Sequence, residues 1–169
     1  MKLWFGATEI ALDRRGGPFD QMIRRAMHLY WRFSRGMTLG VRGMALDSDG
    51  RIFLIKHSYI PGWHLPGGGV EPGETMLEAL RREMMEEGNI AVGAAPEFFA
   101  LYFNQRASDR DHVGLYVVRD FTQDSPPKPN AEIVAHGFFT RDALPPDTGP
   151  ATRARIAEVL DRTRPSPLW

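Results

Sequence analysis

The chain has 169 residues, 43% hydrophobic and 25% charged, ordinary for a globular domain, and at about 150 residues per domain it holds one domain with a modest extension. Lys plus Arg and Asp plus Glu number 21 each, so the formal net charge is zero and no whole-molecule field exists to grip nucleic acid or an anionic membrane. There is no cysteine, which excludes a disulfide scaffold, a zinc–thiolate site, an iron–sulfur cluster and a thiol nucleophile.

In chain order, the first expected element follows the Gly16-Gly17-Pro18 break. Phe19, Met22, Ile23, Ala26, Met27, Tyr30 and Phe33 recur at spacings of three and four, which predicts an amphipathic helix over Phe19–Phe33. Such a helix packs on its own domain or on a second subunit, so a homodimer is a candidate state; a membrane surface or an acidic partner is the other reading. Residues 1–36 are therefore taken as an N-terminal extension and 37–169 as the domain. No apolar run approaches the roughly 20 residues of a membrane span, and Met1–Leu12 shows no signal-peptide pattern. The expectation is a cytoplasmic protein.

Met37–Leu46 reads as a strand, Asp47-Ser48-Asp49-Gly50 as a turn and Arg51–His57 as a second strand, so the pair predicts a hairpin. Asp47-x-Asp49-Gly50 is not a calcium loop, because Ser58 stands where the bidentate Glu belongs. Trp63–Leu65 is a short strand, Thr75–Glu87 a helix with Thr75 as its cap, and Glu97–Asn104 and His112–Arg119 are strands rich in Phe, Tyr and Val. Asp124–Asn130 is a proline-rich loop, Ile133–Thr140 a last strand. Pro150–Arg162 is a helix capped by Thr148 or Gly149, with Ile156, Val159 and Leu160 on its buried face. The order predicts an α/β or α+β sandwich, helices flanking a mixed sheet.

The chemistry concentrates between Leu65 and Ile90. Glu83, Glu86 and Glu87 lie at i, i+3 and i+4 and share a helix face. Like charges at that spacing repel by about 0.2–0.5 kcal/mol per pair, and the helix dipole disfavours anions in the last turn by about 0.3–1 kcal/mol each. Arg82 offsets only part of this, whereas a hard divalent cation, Mg²⁺ or Mn²⁺, offsets it well. A solvated acidic face is the bland alternative. Gly67, Gly68 and Gly69, then Gly73, let the main chain approach a phosphate or metal closely. No Gly-Lys-Ser/Thr follows, so the loop is not a P-loop.

Loop and helix together resemble the Nudix hydrolase family. Gly68 is followed after five residues by Glu74, and after seven more by Arg82-Glu83-Met84-Met85-Glu86-Glu87-Gly88-Asn89-Ile90. Asn89 replaces the family's usual Gly; Asn is the next best residue for a left-handed helix end. The resemblance implies an α/β/α sandwich with a mixed sheet, and metal-dependent hydrolysis of the diphosphate linkage in a small nucleoside diphosphate derivative. A Nudix-fold nucleotide-binding or regulatory module without hydrolysis is the alternative.

By the same resemblance Glu83, Glu86 and Glu87 hold Mg²⁺ or Mn²⁺, with a backbone carbonyl at Gly67 or Gly68 as a further ligand. Arg82 orients Glu86 or Glu87, Glu74 orients Arg82 or steadies the loop, and Glu83 is the first candidate for general base. Glu132 leads the candidates for an auxiliary acid, ahead of Asp109 and Asp111. Gly67, Gly68 and Gly69, with Arg42, Lys56, His64 and Arg106, are the candidate phosphate contacts. Tyr59, Trp63, Phe99, Tyr102 and Phe103 are candidates to stack a base. His28, His57, His112 and His136 show no metal-ligand spacing and read as surface or structural residues.

Overall fold

In the computed structural model, which describes residues 36–128 and 131–169 together with Met22, Met27 and Tyr30, alternation along two strands sorts the core into two layers. On β1 (Thr38–Ala45) and β2 (Ile52–His57), Val41, Ala45, Phe53 and Ile55 point to one side. There they meet Ala79, Leu80 and Met84 of the motif helix, Met76–Gly88. Met44, Ile52 and Leu54 point the other way, onto Ile156 and Val159 of the closing helix, Pro150–Leu160. Strands buried on both faces with a helix over each make an α/β/α sandwich. Gly43 brings the motif helix close, since a Cβ there would meet Met84 Sδ at 2.4 Å.

The remaining strands are β3 (Trp63–His64), β4 (Ala91–Val92), β5 (Glu97–Phe103), β6 (Asp111–Val118), β7 (Phe121–Thr122) and β8 (Ile133–Phe139). They form two mixed or antiparallel sheets, β1-β6-β5 and β3-β2-β8, and a β4-β7 ribbon. The expected hairpin is corrected here. β1 pairs with β6 in parallel, Thr38 facing Asp111, and β2 pairs with β8. The turn itself forms: Asp47 Oδ1 accepts the Asp49 and Arg51 N–H groups at 3.0 and 2.8 Å. Only the Leu46–Ile52 bridge joins the strands at its neck, because each is claimed by a partner far away in sequence.

The motif helix starts with a capping box: Thr75 Oγ1 accepts the Glu78 N–H at 3.2 Å and Glu78 Oε2 accepts the Thr75 N–H at 2.8 Å. Thr75→Ala is expected to lower the unfolding free energy by about 1 kcal/mol in urea titrations. The helix ends at Asn89, left-handed at φ 50°, as the Gly-to-Asn replacement required. The closing helix is capped by Gly149 with Pro150 in its first turn and no side-chain cap, while Thr148 Oγ1 donates to Pro145 O. The expected Phe19–Phe33 helix lies outside the described residues apart from Met22, Met27 and Tyr30, which are helical and exposed. The chain divides into Met1–Gly36 and Met37–Trp169. Among the described residues no helix is long and apolar enough to cross a membrane.

Candidate active site

The glycine loop runs beside β1 like an irregular extra strand. Pro66 O and Gly68 O accept the Gly43 and Val41 N–H groups, each at 2.9 Å, and the Val70 N–H donates to Leu39 O at 2.8 Å. Arg42 on β1 ties the loop again, Nη1 donating to Leu65 O at 3.1 Å and to Gly67 O at 2.5 Å. The Gly67 carbonyl, expected to ligate a cation, is thus engaged by a guanidinium. Gly67 also enters the site through its N–H, which donates to Glu87 Oε2 at 2.6 Å. The Gly68 carbonyl accepts the Val41 N–H and keeps a second lone pair. At Gly68 a Cβ would fall 2.3 Å from Glu83 Oε1, so the missing side chain makes room for that carboxylate.

Arg82 organises the helix face. Its Nε and Nη2 meet the two oxygens of Glu74 at 3.0 and 3.1 Å, and Nη2 also donates to Gly69 O at 3.0 Å. Nη1 donates to Glu83 Oε1 at 2.6 Å and stands 3.5 Å from Glu86 Oε2. Glu74 first, then Glu83, raise the Arg82 pKa and lock it charged. The expectation that Arg82 orients Glu86 or Glu87 is therefore revised. It holds Glu83, reaches Glu86 more loosely, and leaves Glu87 to other partners. Of the two roles expected of Glu74, it contacts both partners: it braces Arg82, and its Oε2 accepts the Glu71 N–H at 3.0 Å.

Glu83, Glu86 and Glu87 leave one helix face but enter three environments, with side-chain exposures of 13%, 61% and 8%. Among the described residues, the ligand atoms that converge within 4.8 Å belong to His57, Glu87 and Glu132. Glu132 so joins the site on which it was the leading auxiliary candidate. Its Oε1 accepts the Tyr59 hydroxyl at 2.6 Å, a bond that pushes the phenol up to about 12. His57 is the residue that sequence reasoning missed. The alternation that aims Phe53 and Ile55 at the motif helix aims His57 there too, two positions further along. Its Nε2 lies 3.4 Å from Glu87 Oε1 and its Nδ1 4.0 Å from Glu132 Oε1. Burial, then the nearby Arg42 charge, lowers its pKa and favours the neutral ring. A buried carboxylate, a second carboxylate and a neutral imidazole with a buried, unbonded nitrogen are a donor set that fits a divalent cation.

Burial is also the main reason that the Glu87 carboxyl is pushed up to about 7, against the opposing pull of the Gly67 N–H and Arg42. With its folded pKa above its unfolded one, this group stabilises the cation-free fold fully below about pH 4.5 and loses that contribution as pH rises through about 7. In EDTA, wild type is expected to lose up to about 3 kcal/mol across that window relative to Glu87→Gln, compared by urea titration at each pH.

Around this centre, Arg42, His64 and Arg106 line one 150 Å³ cavity with Trp169. Gly68, Gly69 and Arg42 line another, of 230 Å³, with Asn104 and Asp111. Three groups of candidates are engaged by other partners. Lys56 is paired with Asp147 at 2.7 Å. Asp111 accepts from Thr38 and Asn104, a structural role. Tyr102 is fully buried and donates to Glu158 at 2.9 Å, so it offers no free ring face, while the partly buried Trp63 packs edge-on against Phe139 and Phe99 packs against the second core layer. Asp109 stays exposed on the β5–β6 turn. Phe103 lines a 300 Å³ cavity with Arg106.

The family model for the NUDIX domain matches residues 37–160. The chain belongs to the Nudix family. The 8-oxo-dGTP diphosphatase described as putative from Bacillus subtilis (strain 168) is 36% identical over 78 residues, 45% of this chain and 50% of that protein. The crystal structure of a MutT NUDIX hydrolase from Burkholderia pseudomallei superposes with TM-score 0.62 at 28% identity, over 72% of this chain and 97% of that one. That of an ADP-ribose pyrophosphatase from Streptococcus suis 89-1591 gives TM-score 0.59 at 25% identity, over 73% and 91%. The chain spans half or less of the length of the first curated relatives it matches. The matched residues 37–160 hold both the Nudix motif, with Asn89 its one departure, and Glu132.

Proposed function

We propose that this Nudix chain hydrolyses the diphosphate linkage of a small nucleoside diphosphate derivative with the help of Mg²⁺ or Mn²⁺. The observation that carries the reading is Glu83, seated against Gly68 and bonded by Arg82 at 2.6 Å, next to the buried Glu87 with Glu132 in reach. Glu86, Glu87 and Glu132 would hold the cation, with Glu83 at its edge. When bound, the ion neutralises phosphate charge and lowers the pKa of a coordinated water.

Glu83 accepts the proton of the attacking water. The water oxygen bonds to phosphorus as the bridging P–O bond breaks, and the bridging oxygen leaves with the departing phosphate. Arg82, braced by Glu74, keeps the Glu83 carboxylate from swinging away. The loop at Gly67, Gly68 and Gly69 lets the substrate's phosphates approach the backbone. Arg42, His64 and Arg106 supply positive or donor groups to the outer phosphates, Arg42 through the guanidinium donors not spent on the loop.

Relatives described as an 8-oxo-dGTP diphosphatase, an RNA pyrophosphohydrolase and an ADP-ribose pyrophosphatase support the diphosphate bond as the common target. The test is release of phosphate, pyrophosphate or nucleoside monophosphate from nucleoside triphosphates, deoxynucleoside triphosphates, ADP-ribose, dinucleoside polyphosphates and nucleotide sugars, with each metal in turn. Cation-dependent cleavage of at least one is expected; binding of several without cleavage of any would leave a nucleotide sensor.

A further inference from the structure

The Nudix motif brings oxygen donors alone to the cation, yet β2 ends by pushing an imidazole among them. The His57 side chain is only 4% exposed, and its Nδ1 has no hydrogen-bond partner. A buried polar atom is nearly always satisfied, by protein, water or ion. The two ring nitrogens divide the work. Nε2 lies 3.4 Å from Glu87 Oε1, a contact that favours the tautomer with its proton on Nε2. A carboxylate beside one ring nitrogen favours the tautomer that leaves the other free to bind a metal. Nδ1 is then left with its lone pair, 4.0 Å from Glu132 Oε1. Tyr59 donates to that same oxygen at 2.6 Å and fixes Glu132 beside the ring. Packing does not account for this placement: β2 continues the apolar Phe53–Ile55 face, where an aliphatic residue would fill the space without leaving a nitrogen bare.

We propose that His57 Nδ1 is a ligand of the divalent cation, giving the site a nitrogen donor and shifting its preference from Mg²⁺ toward first-row transition ions. Imidazole suits those ions, whereas Mg²⁺ takes oxygen almost exclusively. The inference rests on the cation-assisted reading above and adds a residue outside the Nudix motif to it.

The test uses the full chain loaded with Mn²⁺. Electron spin-echo envelope modulation of wild type is expected to show a directly coupled ¹⁴N, replaced by ¹⁵N when the histidines are ¹⁵N-labelled. In His57→Asn the coupling disappears, the Mn²⁺ Kd rises about 10-fold or more, and the Mg²⁺ Kd from calorimetry moves less than about threefold. The labelled wild type establishes a histidine ligand, and a coupling retained in His64→Asn assigns it to His57 even if His57→Asn does not fold; a coupling lost in folded His64→Asn overturns His57. Bound Mn²⁺ with no nitrogen coupling, or coupling that survives in a folded His57→Asn, overturns His57 as ligand. If Mn²⁺ binding is nevertheless lost in Glu86→Gln, the hydrolase reading stands without this inference. A wild type that binds neither Mn²⁺ nor Mg²⁺ removes both.

Discussion

Glu86→Gln is expected to lower kcat at least about 100-fold, through loss of a charged oxygen from the cation site. The substitution keeps size and hydrogen bonding while removing the charge. Glu86 is 61% exposed, and its one ion-pair contact, to Arg82 Nη1, is long at 3.5 Å. The unfolding free energy should therefore change by no more than about 0.5 kcal/mol. That separation is what makes the variant informative: a large kinetic effect with an intact urea transition can come only from the chemistry or from the cation. Titration with Mn²⁺ distinguishes the two, since a weakened site recovers rate as the ion is raised. Turnover close to wild type would show Glu86 to be a solvated charge and would move the cation onto His57, Glu87 and Glu132.

Alanine substitutions along the glycine run are expected to differ sharply. Gly67→Ala should cost about 2–6 kcal/mol of stability, because backbone strain and overpacking each contribute about 1–3 kcal/mol. Gly67 sits at φ 141°, and a Cβ would fall 2.1 Å from Val41 O and 2.9 Å from Arg42 Cα. Those are backbone atoms of a central strand, and neither can retreat. Relief would break the bonds from Val41 and Gly43 to the loop and expose the Glu87 carboxylate that Gly67 caps. Gly68→Ala meets the flexible end of Glu83 instead, so it should fold and lose activity by displacing the candidate base. Gly69→Ala meets nothing within 4 Å and should be nearly neutral in stability. Urea titrations and kcat for the three variants check this order; a Gly67→Ala protein as stable as wild type would mean the loop is not held against β1.

The part of the molecule legible in sequence is the part made by neighbours in sequence. The capping box at Thr75, the helix it starts, the left-handed Asn89 that ends it, and the Asp47 turn all depend on interactions within a few residues. Composition and spacing carry that information directly. The motif placed Glu74, Arg82 and Glu83 near one another for the same reason, and the structure joins them at 2.6–3.1 Å.

Tertiary structure alone decided which strand lies beside which. β1 and β2 flank a well-formed turn, yet β1 pairs with β6, some seventy residues later, and β2 with β8. A strand pattern records which faces are buried, not which neighbour fills the edge, so the hairpin was the default reading. The same limit hid Asp147 from Lys56 and Glu158 from Tyr102. It also hid His57: alternation states that its side chain faces the motif helix, but only the packed sandwich puts that face beside Glu87 and brings Glu132 across from β8. The sequence by itself settled the helix, the loop and their charges. Burial, which turns equal glutamates into a clamped one, an exposed one and a protonatable one, came from the rest of the fold closing over them.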